Sequence, residues 1–103
     1  MVDLSLKIKT ATFKNPIMTA SGTFGYGDEC KDFFDISILG AIITKSISLL
    51  PRTGNKPPRI YEVNSGMLNS IGLANVGVEK FITDKLPSIS KYSTNIIVNV
   101  VGN

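Results

Sequence analysis

Apolar and polar positions alternate first at the N-terminus, where Leu4, Leu6 and Ile8 interleave with Ser5, Lys7 and Lys9. This is the two-residue period of a half-exposed strand. A turn near Thr10 and Ala11, with a return through Thr12, Phe13 and Lys14, predicts a small hairpin. Asn15 and Pro16 interrupt its ladder, because proline has no N–H to donate. The apolar run from Ile17 to Ala20 predicts a short buried strand that opens at Ser21 and Gly22 into the loop Thr23-Phe24-Gly25-Tyr26-Gly27. Asp28 suits the cap of a helix over 29–34, with Phe33 and Phe34 on its buried side and Cys30 as filler within it. Gly40 leads into a second strand, Ala41 to Ile43, which breaks at the polar Thr44-Lys45-Ser46.

The loop that follows holds Pro51, Gly54, Pro57 and Pro58 and so excludes regular structure until Arg59 to Val63, whose alternation reads as one strand of an accessory hairpin. Loops of this length in small domains usually carry function. Asn75 is placed to cap a helix from Val76 to about Leu86, with Val78, Phe81, Ile82 and Leu86 on one face and Pro87 ending it. Asn95 to Asn103 predicts a third strand. Its apolar centre does not alternate, as expected of a parallel strand covered on both faces. Hairpin, strand, helix, strand, long loop, helix, strand is the opening of an α/β fold built from βα units.

In a parallel sheet all carboxyl ends open on one side, so Ser21 and Gly22, Lys45 and Ser46, and Asn99 are expected around one mouth. A lysine at a strand end can simply extend to solvent. Set among amides and hydroxyls, it can instead anchor an anion, with Asn69 offering both an acceptor and donors to a flat polar ligand beside it. The 103 residues contain one cysteine and no histidine, which closes internal disulfides, multi-cysteine metal sites and histidine acid–base chemistry. Covalent chemistry at such a mouth has to come from a cofactor. The net charge of +3 comes from scattered cations and gives no nucleic-acid stripe. No apolar run approaches the roughly 18 residues of a membrane span, and a cytoplasmic, reducing location fits.

Four segments carry a resemblance: Asn15-Pro16-Ile17-Met18-Thr19-Ala20-Ser21-Gly22-Thr23-Phe24-Gly25-Tyr26-Gly27; Thr44-Lys45-Ser46; Pro51-Arg52-Thr53-Gly54-Asn55 with Pro58-Arg59; and Gly66-Met67-Leu68-Asn69-Ser70-Ile71-Gly72-Leu73. In order and spacing they resemble the class 1 dihydroorotate dehydrogenases, and their wording is closer to class 1B, the NAD-linked type. The resemblance runs from about residue 15 onward. Ala74 and Val76 depart from the expected Leu-Gln-Asn-Pro-Gly.

The resemblance implies an α/β fold, the N-terminal portion of a (β/α)8 TIM barrel with a preceding β-hairpin. Residues 1–103 would form a partial barrel domain, since a whole barrel needs roughly 250 residues. It implies FMN and the oxidation of dihydroorotate to orotate in pyrimidine (UMP) biosynthesis. Ala20, Ser21, Gly22, Lys45, Ser46 and Asn99 would hold the flavin. Lys45, Asn69, Ser70, Ile71, Gly72 and Leu73 would hold the substrate. Hydride would pass from substrate C6 to flavin N5 while a cysteine beyond residue 103 takes the C5 proton. No catalytic residue and no metal ligand is therefore assigned within the chain, and Cys30 does not inherit the role of base. The resemblance further implies a homodimer and a separate electron-transfer subunit carrying FAD and a 2Fe-2S cluster. Two other readings stand beside it: another FMN barrel such as a dihydrouridine synthase, and a non-catalytic assembly fragment.

Overall fold

The N-terminal alternation folds into an antiparallel ribbon, β1 (Leu6–Ile8) and β2 (Ala11–Phe13), with Leu6 opposite Phe13. Lys9, at φ 52°, makes the turn. The computed structural model describes residues 1–102, so Asn103, the last position of the predicted third strand, lies outside the described residues. Phe13 turns inward. Lys14 donates to the carbonyls of Ser37 and Ser93, and Asn95 donates to the carbonyl of Thr12. The ribbon is thereby tied across the end at which the parallel strands begin.

Those strands are β3 (Ala41–Ile43) and, far along the chain, β6 (Asn95–Ile97), paired in parallel with Ala41 opposite Asn95. The run from Ile17 to Ala20 joins β3 on its other side, in parallel, through the single pair Met18 and Ala41. It is one rung rather than the predicted strand, and Ile17 is exposed. The cause is local. Pro16 has no donor, and the Ile43 N–H meets the Thr19 hydroxyl at 2.8 Å instead of a main-chain carbonyl.

Beyond β3 the ladder continues with a break. Thr44 N donates to Ile97 O, and Ile47 N to Asn99 O, but Lys45 N turns aside to Gly25 O at 2.8 Å. The third strand was expected to be covered on both faces; instead Val100 is 75 % exposed, and Ile97 and Val98 are partly open. The helix that follows the long loop reaches Ile96 and stops short of the strand's far end. That leaves a groove of about 320 Å³ between Val98 and Val100 on one side and Val78, Phe81 and Ile82 on the other.

The predicted helix over 29–34 is replaced by isolated turns, Lys31 N to Asp28 O and Phe33 N to Cys30 O, and Phe33 is 85 % exposed with Phe34 exposed beside it. Both acids that would open a helix are engaged elsewhere. Asp28 accepts from the Ser88 hydroxyl, and Glu29 accepts from the N–H groups of Tyr26 and Gly27. Asp35 instead caps a short 3-10 turn, Ile36–Ile38, which buries Ile36 completely.

The second helix begins one residue later than expected, at Gly77 with Val76 in the cap position and no side chain capping it, while the Asn75 Oδ1 just before accepts from Gly77 N at 2.9 Å. It then runs through α1 (Gly77–Lys80), a wide π turn (Phe81–Lys85) and α2 (Leu86–Ile89). Pro87 does not end it. In the π turn Leu86 N reaches back five residues to Phe81 O, and the wider loop of backbone gives the proline ring the space a regular α-helix denies it. The extra residue also rotates the buried face, so Ile82 is exposed and Ile89 is fully buried. Tyr26, Ile47, Phe81 and Ile89 form one core cluster, and Ile36, Leu39 and Ile42 form a second, with Tyr92 packed against both. The accessory hairpin is real: β4 (Ile60–Val63) pairs antiparallel with β5 (Gly66–Asn69), all eight residues exposed.

Candidate functional site

Parallel pairing brings the carboxyl ends of the first run, β3 and β6 side by side, and one side chain joins them. The Asn99 amide nitrogen donates to Ser21 Oγ at 2.9 Å and to Ser46 Oγ at 2.8 Å, so its two hydrogens bridge three segments. The fully buried Thr44 supports this bridge from below: its hydroxyl accepts from Asn99 N and donates to Lys45 O.

Above the bridge opens a cleft of about 580 Å³, whose walls include Ser21, Gly22, Lys45, Ser46, Asn69 and Ile71. Lys45 is the one charged residue among its lining residues. Its main chain is fixed by the bond to Gly25 while the side chain is half-buried, which holds a cation at the wall of a largely uncharged cleft. Gly22 sits at φ +83° with open space where a Cβ would stand, so a flat molecule can approach the backbone there. The hairpin closes the opposite side with one face. Ile60 and Asn69 are cross-strand partners, Met67 follows the same two-residue period as Asn69, and all three line the cleft.

Of the residues singled out from sequence, Ser21, Gly22, Lys45, Ser46, Asn69, Ile71 and Leu73 line this one cleft. Asn99 is joined to it through Ser21 and Ser46. Ala20, Ser70 and Gly72 are not among its lining residues. The Ala20 carbonyl closes a turn by accepting from Thr23. Ser70 faces Asn55, which donates to its hydroxyl at 2.7 Å, and a Cβ on Gly72 would press on the Asn55 backbone at 2.8 Å. Cys30 lies among the turns outside the cleft lining.

Sequence reasoning missed the walls given by Thr23, Gly25, Ile60, Met67 and Ala74; the alternation of β5, which puts Met67 on the face of Asn69, was the available signal for the hairpin. It also missed what Asn75 does besides accepting from Gly77 N. This buried amide donates to the Leu73 carbonyl and to the Ser48 hydroxyl, and its oxygen accepts from Ser48 N. Beside Ser88, burial disfavours charge on Asp28, but the Ser88 hydroxyl bond and the nearby Lys85 ammonium outweigh it and hold the carboxyl below its ordinary value. Among the described residues no group of three or more metal-ligating side chains gathers, and no helix is long and apolar enough to cross a membrane.

An ammonium, amides and hydroxyls around the ends of parallel strands are found here together with a sequence-wide match. The family described as Dihydroorotate dehydrogenase matches residues 3–103. The chain belongs to the dihydroorotate dehydrogenase family. It is similar to the "Dihydroorotate dehydrogenase B (NAD(+)), catalytic subunit" of Thermodesulfovibrio yellowstonii, 58 % identical over 99 residues, covering 96 % of this chain and 33 % of that protein. The protein of the same description from Geotalea daltonii is 54 % identical over 101 residues, covering 98 % of this chain and 33 % of that one. The chain thus spans about a third of the length of these curated dihydroorotate dehydrogenase relatives. Its fold is shared with a dihydroorotate dehydrogenase of Eimeria tenella solved in complex with ferulenol, at a TM-score of 0.70 and 24 % identity over 98 % of this chain and 29 % of that chain.

Proposed function

We propose that this chain is the N-terminal part of the catalytic subunit of an FMN-dependent, NAD-linked dihydroorotate dehydrogenase, which oxidises dihydroorotate to orotate in pyrimidine biosynthesis. The observation that carries the reading is the single cleft in which Lys45 is the one charge and Asn69 stands on the facing hairpin. Orotate is flat and carries a carboxylate. Lys45 takes the carboxylate, and the Asn69 amide, with an acceptor and two donors, matches ring N–H and C=O groups in both senses. Ile60, Met67, Ile71 and Leu73 cover the ring faces and limit water.

The residues present fit a flavin. The hydroxyls of Ser21 and Ser46, held apart by the Asn99 amide, face the same cleft as the open backbone at Gly22, and this donor and acceptor set suits the polar edge of an isoalloxazine. When bound, FMN supplies the hydride acceptor that none of the twenty side chains provides. The chain's own part is to bind and orient: Lys45 fixes the carboxylate end, Asn69 fixes the ring, and Ser70 and Gly72 set the loop between them. The proton acceptor lies beyond residue 103 in this reading, since Cys30 is not a lining residue of the cleft.

In the same reading the fold is the first portion of a (β/α)8 barrel preceded by the ribbon β1–β2, the location is cytoplasmic, and the subunit forms a homodimer. Electrons pass to a separate subunit carrying FAD and a 2Fe-2S cluster; the relatives' description as NAD-linked catalytic subunits supports this. Spectroscopy of the full-length protein tests the reading. Flavin absorption that shifts on adding orotate, with turnover of dihydroorotate, is expected. Flavin absorption indifferent to orotate but altered by RNA would favour a dihydrouridine synthase, and a colourless protein an assembly role.

A further inference from the structure

The loop Asn69 to Leu73 is in a conformation that its own residues do not favour. Gly72 at φ 75° is free of strain, but Leu73 at φ 53° places a side chain in the left-handed region, at a cost on the order of 1 kcal/mol or more. Both Ile71 and Leu73 line the cleft, so relaxation of this backbone would change the cleft wall. Something outside the loop has to hold it.

The segment from Arg52 to Asn55 lies along the loop's outer side. Arg52 and Asn75 exchange both main-chain hydrogen bonds at 2.9 Å. Asn55 then grips the middle of the loop at three points: its N–H donates to Ile71 O at 3.0 Å, and its side-chain amide donates to Ser70 O at 3.1 Å and to Ser70 Oγ at 2.7 Å. The approach is so close that a Cβ on Gly72 would sit 2.8 Å from Asn55 N, and one on Gly54 2.5 Å from Ile71 O. Asn55 is exposed and is not a lining residue of the cleft.

We infer that Asn55 is a positioning residue. It never touches the ligand, but by bracing Ser70 and Ile71 from behind, while Asn75 holds the Leu73 carbonyl at 2.8 Å, it keeps the loop with its left-handed Leu73 in place and so sets affinity for the pyrimidine. The inference rests on the reading of the cleft as a dihydroorotate site, and it assigns binding strength to a side chain on the far side of the loop.

The test is Asn55→Ala in the full-length protein. Because the side chain is exposed, folding is expected to survive, and flavin content serves as the check. The expected result is a rise of about tenfold in KM for dihydroorotate and in Kd for orotate, with kcat changed by less than about twofold. Ser70→Ala, which keeps the carbonyl partner, should raise KM less, and the double variant should resemble Asn55→Ala alone. The main-chain N–H of residue 55, which donates to Ile71 O, and that of Ser70, which donates to Arg59 O, should exchange faster in ligand-free Asn55→Ala. Unchanged exchange there would overturn the brace itself, and faster exchange with unchanged KM would overturn its role in affinity. A flavin-loaded wild-type protein that binds no orotate would overturn the reading of the site instead, with the exchange rates still reporting on the brace.

Discussion

At Lys45 a single cation has been placed where its main chain is pinned to Gly25 and its side chain faces a cleft without an acid among its lining residues. Lys45→Met keeps the length of the side chain and removes the charge. The expected outcome is a roughly ten- to hundredfold loss of kcat/KM for dihydroorotate, expressed mainly in KM, in steady-state kinetics of the full-length protein. Gly40 is constrained by contact rather than by dihedral: a Cβ there would lie 2.0 Å from the Asn15 carbonyl oxygen, a backbone atom that cannot step aside alone. Gly40→Ala should destabilise the protein by about 2–4 kcal/mol in a urea titration. Asp28 supplies a pH dependence. Its carboxyl is held below the ordinary 3.8, so the stabilisation it gives is complete above that value and is lost as the pH falls through the lowered one. Ser88→Ala removes one cause of the depression. The stability gap between that variant and the wild type should therefore be present near neutrality and close in strong acid.

Elements depend on such residues unequally. The long helix is docked through the Tyr26 hydroxyl, which accepts from Val76 N at 3.0 Å, while the ring packs on Phe81 with centroids 6.0 Å apart. Tyr26→Phe keeps the packing and orphans that N–H, so a loss of about 1 kcal/mol is expected, read as a lower urea midpoint with an unchanged slope. Where an element follows from near neighbours, the sequence makes it legible: the alternation of Leu6 and Ile8 with Ser5 and Lys7 reads directly as a ribbon, and Ala41 to Ile43 as a buried strand. Two others depend on partners that no local window contains. Asp28 is claimed by Ser88, 60 residues away, which removes the cap from the helix expected over 29–34. Pro87 is tolerated because the π turn ahead of it widens the backbone, and nothing in the spacing of Phe81 and Leu86 announces that. The strand-end side of the cleft was legible through topology, since parallel strands put their ends together whatever lies between, whereas its loop side at Ile71 and Leu73 rested on the resemblance. The braces behind it were not legible, because Asn55 and Asn75 act across the loop on backbone carbonyls that carry no sequence signature.

As a whole molecule the chain is loosely drawn together. Its radius of gyration is 15.5 Å, where about 13 Å is usual for a folded domain of this size. Leu49, Leu50 and Phe33 stand largely exposed, and the groove beside Val98 and Val100 is open. The 103-residue polypeptide produced alone should bind a hydrophobic dye such as ANS, self-associate in sedimentation and turn over no dihydroorotate with added FMN. Turnover comparable to that of the full-length protein would refute this. The order of the parallel strands has a consequence for how the molecule is made. Met18 meets Ala41 after 23 intervening steps of chain, and Ala41 meets Asn95 only after 54. Closing the longer loop costs about 0.8 kcal/mol more than the shorter, and it has to wait for the later residues to be synthesised. Each strand therefore leaves the ribosome with its earlier neighbour already available, and assembly proceeds in the direction of translation.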